Sequence, residues 1–384
     1  MKKSLITIIV LAMITSFIFA LTGCPAAPEE TVEEVEETTE EVEETTEEVV
    51  TPEEKLKVAF VYVGPIGDAG WNWAHDQGRL VLEKEVENIE TAYIENVPEG
   101  ADAGRVIEDY AEKGYDVIFT TSFGFMDPTI EVAAKYPDKI FMHCSGYKTA
   151  DNVGTYFGRM YQPRYLSGLV AGKMTKSNII GYAAAFPIPE VIRGINAFTL
   201  GVREVNPDAK VHVVWTLTWY DPATEREAAE GLLDIGADVI AQHQDSPAPQ
   251  QAAADRGKYC VGYDWDMTRF APDAHLTAPI WNWGLYYIDA INKVIDGTWK
   301  SESYWGGMKE GIVDLSPIAD FVPDDVKSLV EQKKQAILDG TFDVFEGPIK
   351  DQAGNIVVEE GKKMTDEEML NMEFFVEGVV GKIE

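Results

Sequence analysis

Aromatic rings, amides and carboxylates recur together just past short apolar runs, a pairing suited to holding a flat polar molecule rather than to breaking bonds. After Lys57–Val63 comes Gly64-Pro-Ile-Gly-Asp-Ala-Gly-Trp71-Asn72-Trp73, a flexible turn that opens a helix with an indole beside an amide. Trp71 can stack on a π face, which adds ~0.5–1.5 kcal/mol beyond burial, and Asn72 offers both a donor and an acceptor to a heterocycle edge. One of Trp71 and Trp73 packs between lobes instead, and Trp71 is the one expected to face the ligand. The pattern repeats at Ser122-Phe123-Gly124-Phe125, Ser145-Gly146-Tyr147, Phe186-Pro187, Trp215 with Trp219 and Tyr220, Asp245-Ser246, Asp264, and Trp281 with Trp283. Each aromatic alone is as compatible with a core position as with a site.

Bond-making chemistry has no comparable signature. Phosphate-loop, dinucleotide-binding, nucleophile-elbow and zinc-protease motifs are missing from the sequence. His75, His143, His212, His243 and His275 are scattered, with no metal-ligand spacing. Asp264 and Asp266 resemble the start of a calcium loop, but Arg269 stands where its turn glycine belongs. Cys144 and Cys260 fall inside apparent strands and read as small core residues. No catalysis, metal or cofactor is expected.

The elements that must position these residues alternate regularly. Apolar runs starting at Lys57, Ile89, Asp116, Lys139, Asn152, Ile179, Ala209, Asp238, Tyr259 and His275 are separated by segments of helical period with Gly or Pro near most of their ends. Near-continuous hydrophobic strands imply parallel sheets covered on both faces. So many βαβ units exceed one core, so two doubly wound α/β lobes with a hinge are expected, binding ligand at the strand carboxyl ends. Lobe one is placed at 57–160 plus about 277–345, and lobe two at 161–276 plus the C-terminal segment.

Charge narrows the partners. The 384 residues hold 66 acidic against 32 basic side chains, a formal charge of −34 that disfavours nucleic acid. Part of that charge lies in residues 24–55, whose near-repeat EEVEETTEEVEETTEEV swells by self-repulsion and reads as a solvated tether. Before it, Lys2 and Lys3 precede an apolar run to Leu21 that ends in Leu-Thr-Gly-Cys24, the form of an export signal over residues 1–23. The ending resembles the lipobox of bacterial lipoproteins, which implies acylation of Cys24 and a membrane-anchored extracytoplasmic protein. An ordinary signal peptide or a membrane span with an incidental cysteine is the alternative.

From Lys57 to its C-terminus the chain resembles the basic membrane protein family of ABC-transporter solute-binding lipoproteins, in particular those that bind purine nucleosides. The resemblance is carried by Asp68-Ala-Gly-Trp71-Asn72, Phe157-Gly-Arg159 with the helix to Lys173, Pro187-Ile-Pro-Glu-Val-Ile-Arg193, Gly262-Tyr-Asp264, and Phe345-Glu-Gly-Pro-Ile-Lys-Asp351-Gln-Ala-Gly354. It implies a type I periplasmic-binding-protein fold and a monomer that serves an ABC permease. By the same resemblance, Trp71 is one wall of a base sandwich, Asn72 a polar contact and Asp264 the carboxylate that holds the ligand. Phe123, Ser145, Tyr147, Phe186, Trp219, Asp245 and Trp281 complete the expected site. Ser145 stands where nucleoside-binding relatives carry an acid, and Thr277-Ala-Pro-Ile-Trp281 where they carry Thr-Ser-x-x-Lys. A site unable to satisfy sugar hydroxyls disfavours the nucleoside, so a free purine base, adenine first, is expected, with the nucleoside as alternative. A ligand sensor of the same fold is the second functional reading, and a calcium-dependent nucleoside hydrolase the third.

Overall fold

The computed structural model describes residues 54–383, so the expected signal peptide, Cys24 and nearly all of the tether lie outside the described residues. Each of the ten apolar runs contributes a strand. The first half runs β1 (Leu56–Val61), α1 (Trp71–Glu85), β2 (Ile89–Ile94), α2 (Ala101–Glu112), β3 (Val117–Thr120), α3 (Met126–Ala133), β4 (Ile140–Cys144) and β5 (Val153–Gly158). The chain continues through α4 (Tyr161–Met174), β6 (Ile179–Ala184), α5 (Pro189–Val205), β7 (Lys210–Trp215), α6 (Pro222–Asp234), β8 (Val239–His243), α7 (Ala248–Asp255), β9 (Tyr259–Val261) and β10 (His275–Thr277). It returns by β11 (Pro279–Trp281), α8 (Trp283–Ile295), β12 (Ser303–Gly306), β13 (Val313–Leu315) and α9 (Asp324–Leu338). A C-terminal segment follows with β14 (Ile349–Lys350), β15 (Ile356–Val358), α10 (Asp366–Leu370) and β16 (Val379–Val380).

Two six-stranded sheets result, ordered β12-β5-β4-β3-β1-β2 and β10-β9-β8-β6-β7-β16. Every pairing within them is parallel. Helices cover both faces, which is why β3, β5 and β8 are buried along their whole length. Phe60 stacks on Phe119 at 4.8 Å, and Tyr156, Tyr287 and Trp283 continue that aromatic core toward the second lobe. The order in which strands are added reverses at β1/β3 in the first sheet and at β6/β8 in the second. Crevices beyond the carboxyl ends of those strands are where open α/β sheets bind ligands.

The run from His275 to Trp281 divides in two. Pro279 has no N–H to continue a ladder, and Ala278 donates to the Ser316 hydroxyl at 2.8 Å. β11 then pairs antiparallel with β13. Caps behave as the sequence directs: Asp221 accepts from the Ala223 and Thr224 amides at the start of α6, and Thr365 with Glu368 forms a capping box on α10. Helices α4 and α5 pack at the distance glycine permits, since a Cβ on Gly172 would lie 2.6 Å from the Val202 carbonyl oxygen.

Candidate functional site

Asp68 organises the turn after β1. Its carboxylate, 1% exposed, accepts from the amides of Gly70 (2.9 Å), Asn72 (2.8 Å) and Trp73 (3.0 Å) and from the Asn72 side chain (2.7 Å). These bonds satisfy the free N–H groups at the start of α1. Asn72 accepts in turn from the Gly64 amide at 3.2 Å. The Asn72 side chain is therefore consumed in holding the turn. Trp71, placed by that turn, donates its indole N–H to the Thr121 carbonyl at 2.7 Å and packs edge-on against Trp281 and Trp283. Trp73 points to the other lobe, where its ring lies 5.3 Å from Trp265 with Arg269 stacked over both.

An inner cavity opens beyond the two switch points. Lobe one lines it with Val63, Trp71, Ser122, Phe123 and Ser145, and lobe two with Glu190, Trp219, His243, Asp245 and Tyr263. The cavity is small, about 30 Å³. The lobes are closed around it. Trp265 donates to the Ala69 carbonyl across the cleft, and a Cβ on Gly70 would lie 2.5 Å from the Cα of Asp245.

Five of the expected residues thus share the lining: Trp71, Phe123, Ser145, Trp219 and Asp245. The other five lie around it. Phe186 packs on Trp219 at 5.0 Å, and Tyr147 is 67% exposed in a neighbouring groove. Asn72 braces the first turn. Trp281 is buried, stacked on Trp283 at 4.3 Å, and donates to Asp264 at 3.0 Å, so Trp281 and Asp264 form a layer behind the lining. Glu190 and His243 reach the cavity without having been singled out from the sequence. Glu190 follows Pro189 in the first turn of α5, where an acid is ordinary helix chemistry, and His243 closes a buried strand.

The cavity and its backing are rich in acceptors. Burial raises the pKa of Asp245, and the charges of Asp264 and Asp68 raise it further. Asp264 is likewise raised, by burial and then by Asp68, and its Oδ2 has no partner. Glu190 lies 3.6 Å from His243 Nε2, and burial lowers His243 to about 4, leaving the imidazole neutral at physiological pH. Two buried cations face this group: Arg164 sits 3.7 Å over the Tyr263 ring, with Nε and Nη2 unpartnered, and Arg193 lies in the field of the Glu190 carboxylate. Ionised carboxylates here would accept from N–H or O–H groups of a ligand. Among the described residues no group of three or more His, Cys, Asp or Glu is placed to hold a metal, and Cys144 and Cys260 are buried free thiols.

Two parallel-sheet lobes closing on a cavity lined from both sides have the periplasmic type I architecture. Solved structures agree at the level of fold: a solute-binding protein of Aeropyrum pernix superposes with a TM-score of 0.66 at 20% identity over 84% of this chain and all of that one. One from Conexibacter woesei gives 0.62 at 22% identity over 75% of this chain and 98% of the other. Residues 55–344 match the Bmp family, described as ABC transporter substrate-binding protein PnrA-like, and the chain belongs to that family. It is 50% identical over 332 residues to a purine-binding protein of Brucella abortus, covering 86% of this chain and 95% of that protein. It is 44% identical over 330 residues to a putative ABC transporter glucose-binding protein of Haloferax volcanii, covering 86% and 82%. Membership implies an extracytoplasmic protein that hands a small molecule to a permease. No described helix is long and apolar enough to cross a membrane.

Proposed function

We propose that this chain binds a free purine base, adenine first, between its lobes and delivers it to an ABC importer, held at the membrane through acylated Cys24. The observation that carries the reading is the pairing of aromatic rings from both lobes with Asp245 and Glu190 in one small cavity. Rings serve the faces of a planar heterocycle, and carboxylates accept from its amino and ring N–H groups. Identity of 50% to a purine-binding protein supports the same class. Ser145 lines the cavity where nucleoside-binding relatives carry an acid, which supports the base over the nucleoside. In this reading Trp281 acts from behind the cavity, fixing Asp264 and backing Trp71.

A sugar is the second reading, favoured by the relative named for glucose. Titration calorimetry decides between them, using the full chain in detergent after unfolding and refolding to remove carried-over ligand. Adenine, guanine, hypoxanthine, adenosine, guanosine and glucose are the probes. Tight binding of a base with weak nucleoside binding supports the proposal, and tight nucleoside binding replaces it with the nucleoside. Glucose alone moves the ligand to the sugar class, and no binding removes both assignments. Mass spectrometry of the mature N-terminus, compared with Cys24→Ala, tests the anchor.

A further inference from the structure

Beside the inner cavity lies a larger groove. Its volume is about 620 Å³, and Phe123, Ser145 and Glu190 line both spaces, so the two adjoin. Its remaining walls are largely apolar: Tyr147 and Phe157 from lobe one, Tyr304 and Trp305 on β12, and Leu370 on α10. Three of these apolar side chains stand uncovered, with Phe123 38%, Tyr147 67% and Leu370 47% exposed. Uncovered rings in a concave space that adjoins a ligand cavity mark a binding subsite.

The walls are fixed before any ligand arrives. Arg159 makes a two-pronged pair with Asp366 of α10 at 2.8 and 2.7 Å while lying 4.3 Å over the Trp305 ring. Arg193 approaches the same ring to 5.0 Å and donates to the Met369 carbonyl at 2.8 Å. Two arginines thus clip α10 and Trp305 together, and a preorganised apolar wall loses little entropy on binding. The inner cavity is tight, whereas the groove is roomy, with charged side chains confined to Glu190, Arg193, Asp366 and Glu367.

We propose that the groove is a second subsite, which takes an aromatic or aliphatic substituent carried on the heterocycle held in the inner cavity. This rests on the purine reading and extends it from bare bases to N-substituted ones. The test is titration calorimetry on the full chain in detergent with adenine, N6-benzyladenine and 9-benzyladenine, using wild type, Tyr147→Ala and Leu370→Ser. At least one benzyl compound is expected to bind as tightly as adenine or more tightly. Each substitution is expected to weaken that compound at least five-fold while leaving adenine within two-fold, and both side chains are exposed enough for the fold to tolerate the change. If adenine binds and both benzyl compounds bind over a hundred-fold more weakly, the subsite is refuted and the purine reading stands. A tight benzyl ligand unaffected by either substitution also refutes it. If glucose binds and adenine does not, the purine reading fails and phenyl β-glucoside against glucose decides the subsite by the same thresholds. If neither binds, the subsite falls with the ligand reading.

Discussion

At Gly70 the two lobes approach closely at the mouth of the cavity. A methyl group there would meet the Asp245 backbone, with its Cα at 2.5 Å and its carbonyl carbon at 2.6 Å, and a backbone cannot rotate away as a side chain can. The pair φ −141°, ψ −123° lies outside the regions open to L-residues, so Gly70→Ala strains the turn as well as obstructing closure. Overpacking of this kind costs about 1–3 kcal/mol, which is roughly a 5- to 150-fold loss of affinity for a ligand that needs the closed form. Calorimetry with the ligand that wild type binds checks this, and unchanged affinity would show that binding does not require this contact. Residues such as Trp71, Phe123 and Asp245 were legible because chemistry-bearing types sit directly past strand ends. Asn72 and Asp264 were legible by type but not by role. Whether an amide or carboxylate is spent on neighbouring groups depends on the turn's conformation, and for Asn72 the spending partners are Asp68 and Gly64.

At the scale of elements, α6 holds the turn between β8 and α7 through one carboxylate. Glu225 accepts from the Asp221 amide at 2.9 Å and from both the amide and the hydroxyl of Ser246, the residue after Asp245. Burial raises its pKa from 4.5 to about 7. A folded value above the unfolded one means that the stabilising contribution is complete below about 4.5 and is lost as pH rises through about 7. Relative to Glu225→Gln, wild type should therefore lose on the order of 3 kcal/mol of stability between pH 4.5 and 8. Urea unfolding of both proteins across that range measures the difference, and parallel curves would show that Glu225 does not titrate there. The α6 cap and the first ten strands could be read locally, from apolar runs and the Asp221-Pro222 pair. β12 and β16 could not: each is a few residues long and exists only by pairing with β5 or β7, far away in sequence.

Across the whole molecule, closure rests on a small aromatic latch. Trp265 of lobe two donates to the Ala69 carbonyl, its ring meets Trp73 at 5.3 Å, and Arg269 lies 4.5 Å over it. The latch sets part of the balance between open and closed forms. An aromatic pair contributes about 0.5–1.5 kcal/mol and an exposed cation–π contact about 0.5–1 kcal/mol. Removing both moves the open–closed equilibrium by roughly 5- to 70-fold. Because the ligand holds the closed form, that same factor appears as lost affinity. Trp265→Ala should accordingly show a larger radius of gyration than wild type without ligand, converge with it at saturating ligand, and bind roughly ten-fold more weakly. Small-angle scattering paired with calorimetry reads both quantities. A variant that matches wild type in unliganded radius and in affinity would mean that the latch forms only as a consequence of closure and does not drive it.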